Sequence, residues 1–163
     1  MKKIVLSSVF ALAALFSFNS IHAQKINPGH EDEVVITGGY QTVGGNTFFV
    51  LCCQNALITG ISSKLTTVDA QLIITATANS ECFNGGQSVK SIPGQTITVS
   101  SGKVQLAVTN GNVLVQNLCA QITGGCKSKG GSGWTSQVSN VLINRVVLSL
   151  SGKDVDLTSF FHN

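Results

Sequence analysis

The sequence predicts an all-β fold: a single antiparallel β-sandwich, or a small barrel, of about eight to nine strands behind a cleaved signal peptide. Three observations carry this expectation. Short apolar runs alternate with Gly- and Asn-rich turn signals along most of the chain. No segment of convincing length repeats its apolar residues at helical spacing. Charged residues make up only 10% of the chain, against roughly 25% in an average soluble domain. Solubility must therefore come from Ser, Thr, Asn, Gln and Gly, a composition that suits extracellular β-proteins and self-association.

The first 23 residues stand apart from the fold. Lys2-Lys3 form a basic start, residues 4–18 a mostly apolar run, and Ile21-His22-Ala23 an aliphatic residue at −3 with a small one at −1. This pattern predicts a secretory signal peptide cleaved after Ala23. No cysteine stands at the cleavage point itself, where Gln24 follows Ala23, so a bacterial lipoprotein anchor is not indicated. No second long apolar run follows either, and no transmembrane segment is expected. The expected location is the periplasm, cell surface or exterior. Lys2 and Lys3 leave with the leader, so eight of the ten basic residues remain against seven acidic ones, a net charge of +1. Nucleic acid is not an expected partner, because phosphate recognition needs clustered cations.

Residues 24–33 are polar, contain Pro28-Gly29 and end in Glu31-Asp32-Glu33. They read as a flexible N-terminal arm, which strand addition to a neighbour could use. The β-domain is expected over residues 34–163. Its first candidates are a short strand at 34–37, a denser apolar strand at 47–53 and weaker ones at 56–61 and 65–68. Residues 71–78 read as a strand, and residues 79–93, with Asn84-Gly85-Gly86, read as a loop-rich link.

Residues 94–118 read as a three-strand meander with turns at Ser101-Gly102 and Asn110-Gly111. Two-residue turns would set Val99 opposite Val104, Ile97 opposite Leu106, Val108 opposite Val113 and Leu106 opposite Val115. All seven apolar side chains then share one face, and Thr96, Thr98, Gln105, Ala107, Leu114 and Gln116 the other. Residues 127–136 are the most loop-like internal stretch, and 138–143 suit either a strand or a short helix. A final hairpin with a Gly152-Lys153 loop would oppose Leu150 to Val155 and Leu148 to Leu157. An outer-membrane barrel is disfavoured, because such barrels need aromatic girdles and the chain has one Tyr and one Trp.

All five cysteines, Cys52, Cys53, Cys82, Cys119 and Cys126, follow the leader. Structural disulfides are the preferred reading in an exported chain, with the connectivity open. Cys119 and Cys126 are close enough to close a small loop. Cys52 and Cys53 would point to opposite faces of a strand and seek different partners. One thiol is left free or pairs with another chain. No metal site or cofactor is expected, since no C-x-x-C pair occurs.

Catalytic ingredients do not converge. Outside the leader the imidazoles are His30 and His162, one near each end, and no motif supports Asp69 or Glu81 as a carboxylate pair. A non-enzymatic role is therefore expected. Trp134, with Lys127 and Lys129 upstream, is the one candidate binding group, as a platform for a sugar ring or an anchor for a protein. A lone Trp more often covers an end of a fold. The expected function is a secreted, non-catalytic structural or self-assembling subunit, forming homo-oligomers or filaments. The alternative is a monomeric module that binds a glycan or protein through residues 127–136.

Overall fold

The computed structural model describes residues 23–126 and 133–162. The expected signal peptide lies outside the described residues apart from Ala23. Among the described residues, nine strands form one open, mixed sheet: β1 (Lys25–Ile26), β2 (Val35–Val43), β3 (Asn46–Thr59), β4 (Thr67–Asn84), β5 (Gln87–Ser100), β6 (Val104–Ala107), β7 (Val113–Ile122), β8 (Trp134–Leu150) and β9 (Lys153–Asp156). The hydrogen-bonded path runs β1-β3-β8-β4-β5, with β2 and β7 also on β3, β6 on β4 and β9 on β8. The sheet does not close, so the barrel alternative falls. Nor is it wholly antiparallel, because Thr47 of β3 meets Gln137 of β8 in parallel register. That one junction joins a β2/β3/β7 group to a β4/β5/β8 group.

A single buried cluster takes side chains from both groups. Leu51, Ala56 and Ile58 of β3 and Val113, Val115 and Ile122 of β7 meet Leu72 and Ile74 of β4 and Val146, Leu148 and Leu150 of β8. Alternation along β4 explains its length. Even-numbered residues from Val68 to Cys82 are buried while the odd ones are not, so one face stays apolar over 18 residues. Residues 79–93 are thus not a loop. Ser80 is fully buried, with its Oγ accepting from the Gly125 N–H at 3.4 Å, and Cys82 is held in a disulfide. These two small polar residues continue an inward face that hydropathy alone would end. Gly85 and Gly86, at φ 59° and 81°, make the hairpin turn into β5. Pro93 and Gly94 fall at a register shift opposite Asn79, whose side chain accepts the Gly94 N–H at 2.8 Å. Such a bulge on an edge strand is where a proline fits.

The expected meander is half right, and its failure is instructive. The Asn110-Gly111 turn forms, with both residues at positive φ and Thr109 bridged to Asn112. Ser101-Gly102 is not a hairpin. Ser101 is buried against β4: its N–H reaches the Leu72 carbonyl at 2.8 Å and its Oγ accepts the Leu72 N–H at 2.9 Å. The chain therefore runs straight on, and β5 and β6 lie end to end along β4. After the Asn110-Gly111 turn, β7 leaves for β3, where Val113 faces Ile58 and Val115 faces Ala56. The facings of Val99, Ile97, Leu106 and Val108 across a meander do not occur. Sidedness nonetheless holds: Ile97, Val99, Leu106 and Val108 pack against the core, and Val113 and Val115 are fully buried. Val104 is the exception, at 40% exposure.

The last hairpin turns one residue early. Ser151-Gly152 form the loop, both at positive φ, so Leu150 faces Lys153 and Leu148 faces Val155. The register moves by two residues, which leaves Val155 and Leu157 both inside. Residues 138–143 belong to the 17-residue strand β8. Residues 24–33, expected as an arm, run along their own chain. Lys25 and Ile26 pair with Thr59 and Ile58, and the Asn55 side chain donates to the Glu33 carbonyl at 2.9 Å.

Candidate functional site

The residues singled out for chemistry in the sequence are dispersed. Trp134 opens β8 opposite Asn84 and is half-buried, while Lys127 and Lys129 lie outside the described residues. Asp69 and Glu81 sit on one strand, twelve residues apart, which in an extended chain is about 40 Å. Asp69 borders an open cleft of about 380 Å³ with Gln71, Lys103, Ser149 and Ser151. Asp156 accepts the Thr158 N–H at 2.9 Å and lies 3.8 Å from the Arg145 guanidinium. The Thr158 hydrogen bonds, with a smaller contribution from Arg145, hold its carboxyl below the usual aspartate range. Among the described residues, no three His, Cys, Asp or Glu side chains gather as a metal site.

The cysteines form two crossed links. Cys52 joins Cys119, its direct cross-strand neighbour on β7, and Cys82 joins Cys126. The small loop between Cys119 and Cys126 is therefore not closed. Cys119 sits on a strand that runs away along β3, which takes it to Cys52 instead. Cys53 is the free thiol. Its side chain points the other way from Cys52, into the core, and burial pushes its pKa up to about 11. It is closed to another chain and poor in thiolate at neutral pH. Two disulfides fit an oxidising compartment, periplasmic or extracellular. No helix among the described residues is long and apolar enough to cross a membrane.

What the topology does assemble is a charge-free surface. Strands β2, β3 and β7, of 9, 14 and 10 residues, contain no Asp, Glu, Lys, Arg or His. Residues 34–63 as a whole contain none. The outward rows follow from the register: Gln41 beside Phe48, Gly39 beside Val50 and Gln121, Thr37 beside the Cys52–Cys119 disulfide, and Leu57 beside Leu114. Val35, Val43 and Leu114 are exposed at 43%, 64% and 47%. Apolar and amide side chains thus alternate over one continuous face. The depression at its end, about 390 Å³, is lined by Val43, Asn46, Thr47, Phe48, Gln121, Thr123 and Ser136, again without charge.

Strand β2 borders this face and pairs only with β3 among the described residues. Its inner side is pinned. Gly38 lies under Phe49 and Phe161, where an added Cβ would come within 2.6 Å of the Phe49 ring. Tyr40 meets Phe49 edge-on at 5.1 Å, and its hydroxyl accepts the Val141 N–H of β8 at 3.0 Å. Sequence reasoning missed β2 as a site by ending its strand at Thr37. The available signal was the long run without charge. The chain matches no protein-family model, no curated protein and no solved structure.

Proposed function

We propose that this protein is a secreted, non-catalytic β-sandwich subunit that assembles with copies of itself at the cell surface or outside the cell, the leader of residues 1–23 having been removed. One observation carries the reading: the face built by β2, β3 and β7 has no charge on it, yet exposes Val35, Val43 and Leu114. Monomeric proteins keep charge on sheet edges and avoid broad apolar exposure. A chain that does neither over three neighbouring strands is suited to having that surface covered. The sandwich is supported by the two strand groups sharing one core while touching in register at a single residue pair. The alternative, a binding module built on Trp134, has only a half-buried indole in its favour.

Sedimentation velocity on the purified chain of residues 24–163 tests the proposal. Association should rise with concentration and persist to roughly 1 M salt, where attraction between exposed charges is screened. A single monomeric species at every concentration would overturn it.

A further inference from the structure

Among the described residues, β2 alone of the sheet's edges is long, free and undefended. Strand β5 carries Lys90 and Pro93. Strand β9 has four residues, three of them charged, and β6 is equally short. Strand β7 is uncharged but lies against β4, β5 and β6 as well as pairing with β3. Lysine, proline and brevity are the usual devices that stop one edge from pairing with another. The nine residues of β2 have none of them.

The sequence of β2 also complements itself. Val35-Ile36-Thr37-Gly38-Gly39-Tyr40-Gln41-Thr42-Val43 can be laid antiparallel on a second copy with a two-fold axis at Gly39. Val35 then opposes Val43, Thr37 opposes Gln41, and Gly39 opposes itself. The outward row matches apolar with apolar and polar with polar, and the axis residue has no side chain to clash. Gly39 is built for this in a way that Gly38 is not: its φ is not in the left-handed region and a Cβ there would meet nothing within 4 Å. Neither backbone conformation nor packing inside the subunit demands a glycine at 39.

From these features, and resting on the self-assembly proposed above, we infer that β2 is the homotypic contact: two copies pair β2 to β2, antiparallel, about Gly39. Such a contact is isologous and closes as a dimer. It joins two β2/β3/β7 groups into one continuous sheet and doubles the width of the charge-free face. The partner is a second copy of this chain.

Gly39→Lys tests the contact directly. The side chain has open space in the subunit, so at concentrations low enough to keep both chains monomeric, circular dichroism and melting temperature should match the wild type. Across the axis it sets lysine against lysine, and like charges directly opposed should weaken dimerisation roughly five-fold or more. The Gly39→Glu chain should behave alike alone, and mixing the two variants should restore the dimer. Gly39→Cys, mildly oxidised, should give a covalent dimer whose linking peptide joins position 39 to position 39, since paired antiparallel Cα atoms lie about 4.5–5.5 Å apart. If the wild type associates while Gly39→Lys associates equally well and no 39-to-39 link forms, the β2 contact is wrong and self-assembly stands. A wild type that remains monomeric overturns both.

Discussion

Strands β3 and β4 each organise one of the two strand groups, and they solve different problems. Both bury alternate residues in the same core. The outside of the β4 group is defended: Asp69, Glu81, Lys90, Arg145, Lys153, Asp154 and Asp156 are spread over β4, β5, β8 and β9. The β3 group, with β2 and β7, has no charge at all. On the proposed function, stability and association are separable here. Stability belongs to a core that both groups share, whereas the proposed association would use the outer side of one.

The largest effects should ignore the division. Leu51 of β3 and Leu72 of β4 are both fully buried in the one cluster. Leu51→Ala and Leu72→Ala should each cost about 2–5 kcal/mol. Urea melts followed by Trp134 fluorescence and by far-UV circular dichroism should coincide for both variants. Two separate transitions would mean that the groups fold independently and that the comparison is between domains.

A smaller effect sharpens it. Replacing Cys52 and Cys119 together by Ala removes a link spanning 67 residues, which should cost about 2–4 kcal/mol. The link sits on the charge-free face but brings no polar recognition with it. The double variant should therefore melt earlier in calorimetry yet retain concentration-dependent association below its transition.

The smallest effect belongs to the charged side. Asp156 is stabilised as its anion by Thr158, so its contribution is present above the ordinary aspartate pKa and is lost as pH falls through the depressed folded value. Asp156→Asn should lower stability at neutral pH by under about 1 kcal/mol, given its exposure. Wild type and variant should converge in acid. Chemical denaturation across the pH range reads the difference, and it should leave association untouched.

How much of this was legible in the sequence depends on what a side chain can report. Which way residues face was readable wherever apolar and polar positions alternate, and so Ile97, Val99, Val113 and Val115 lie inward although their pairing partners differ from expectation. Partners are a non-local property. Ser101-Gly102 has a turn-like composition, but whether it turns depends on Leu72, nearly thirty residues earlier, offering groups for Ser101 to satisfy. Ser80 and Cys82 hid the second half of β4, because small polar side chains face inward only when something there completes them. The candidate site was legible as a stretch without charge. That the stretch contains a free edge is a fact of strand order, which no local pattern carries.

The crossed disulfides have a bearing on how the chain is made. If the chain is exported N-terminus first, as proposed above, Cys52, Cys53 and Cys82 would meet the oxidant before either native partner, Cys119 or Cys126, has emerged. Thiols joined in order of arrival would be mispaired. On that route, reaching the observed linkage would call for exchange as well as oxidation, with Cys53 a rival nucleophile until the core closes over it.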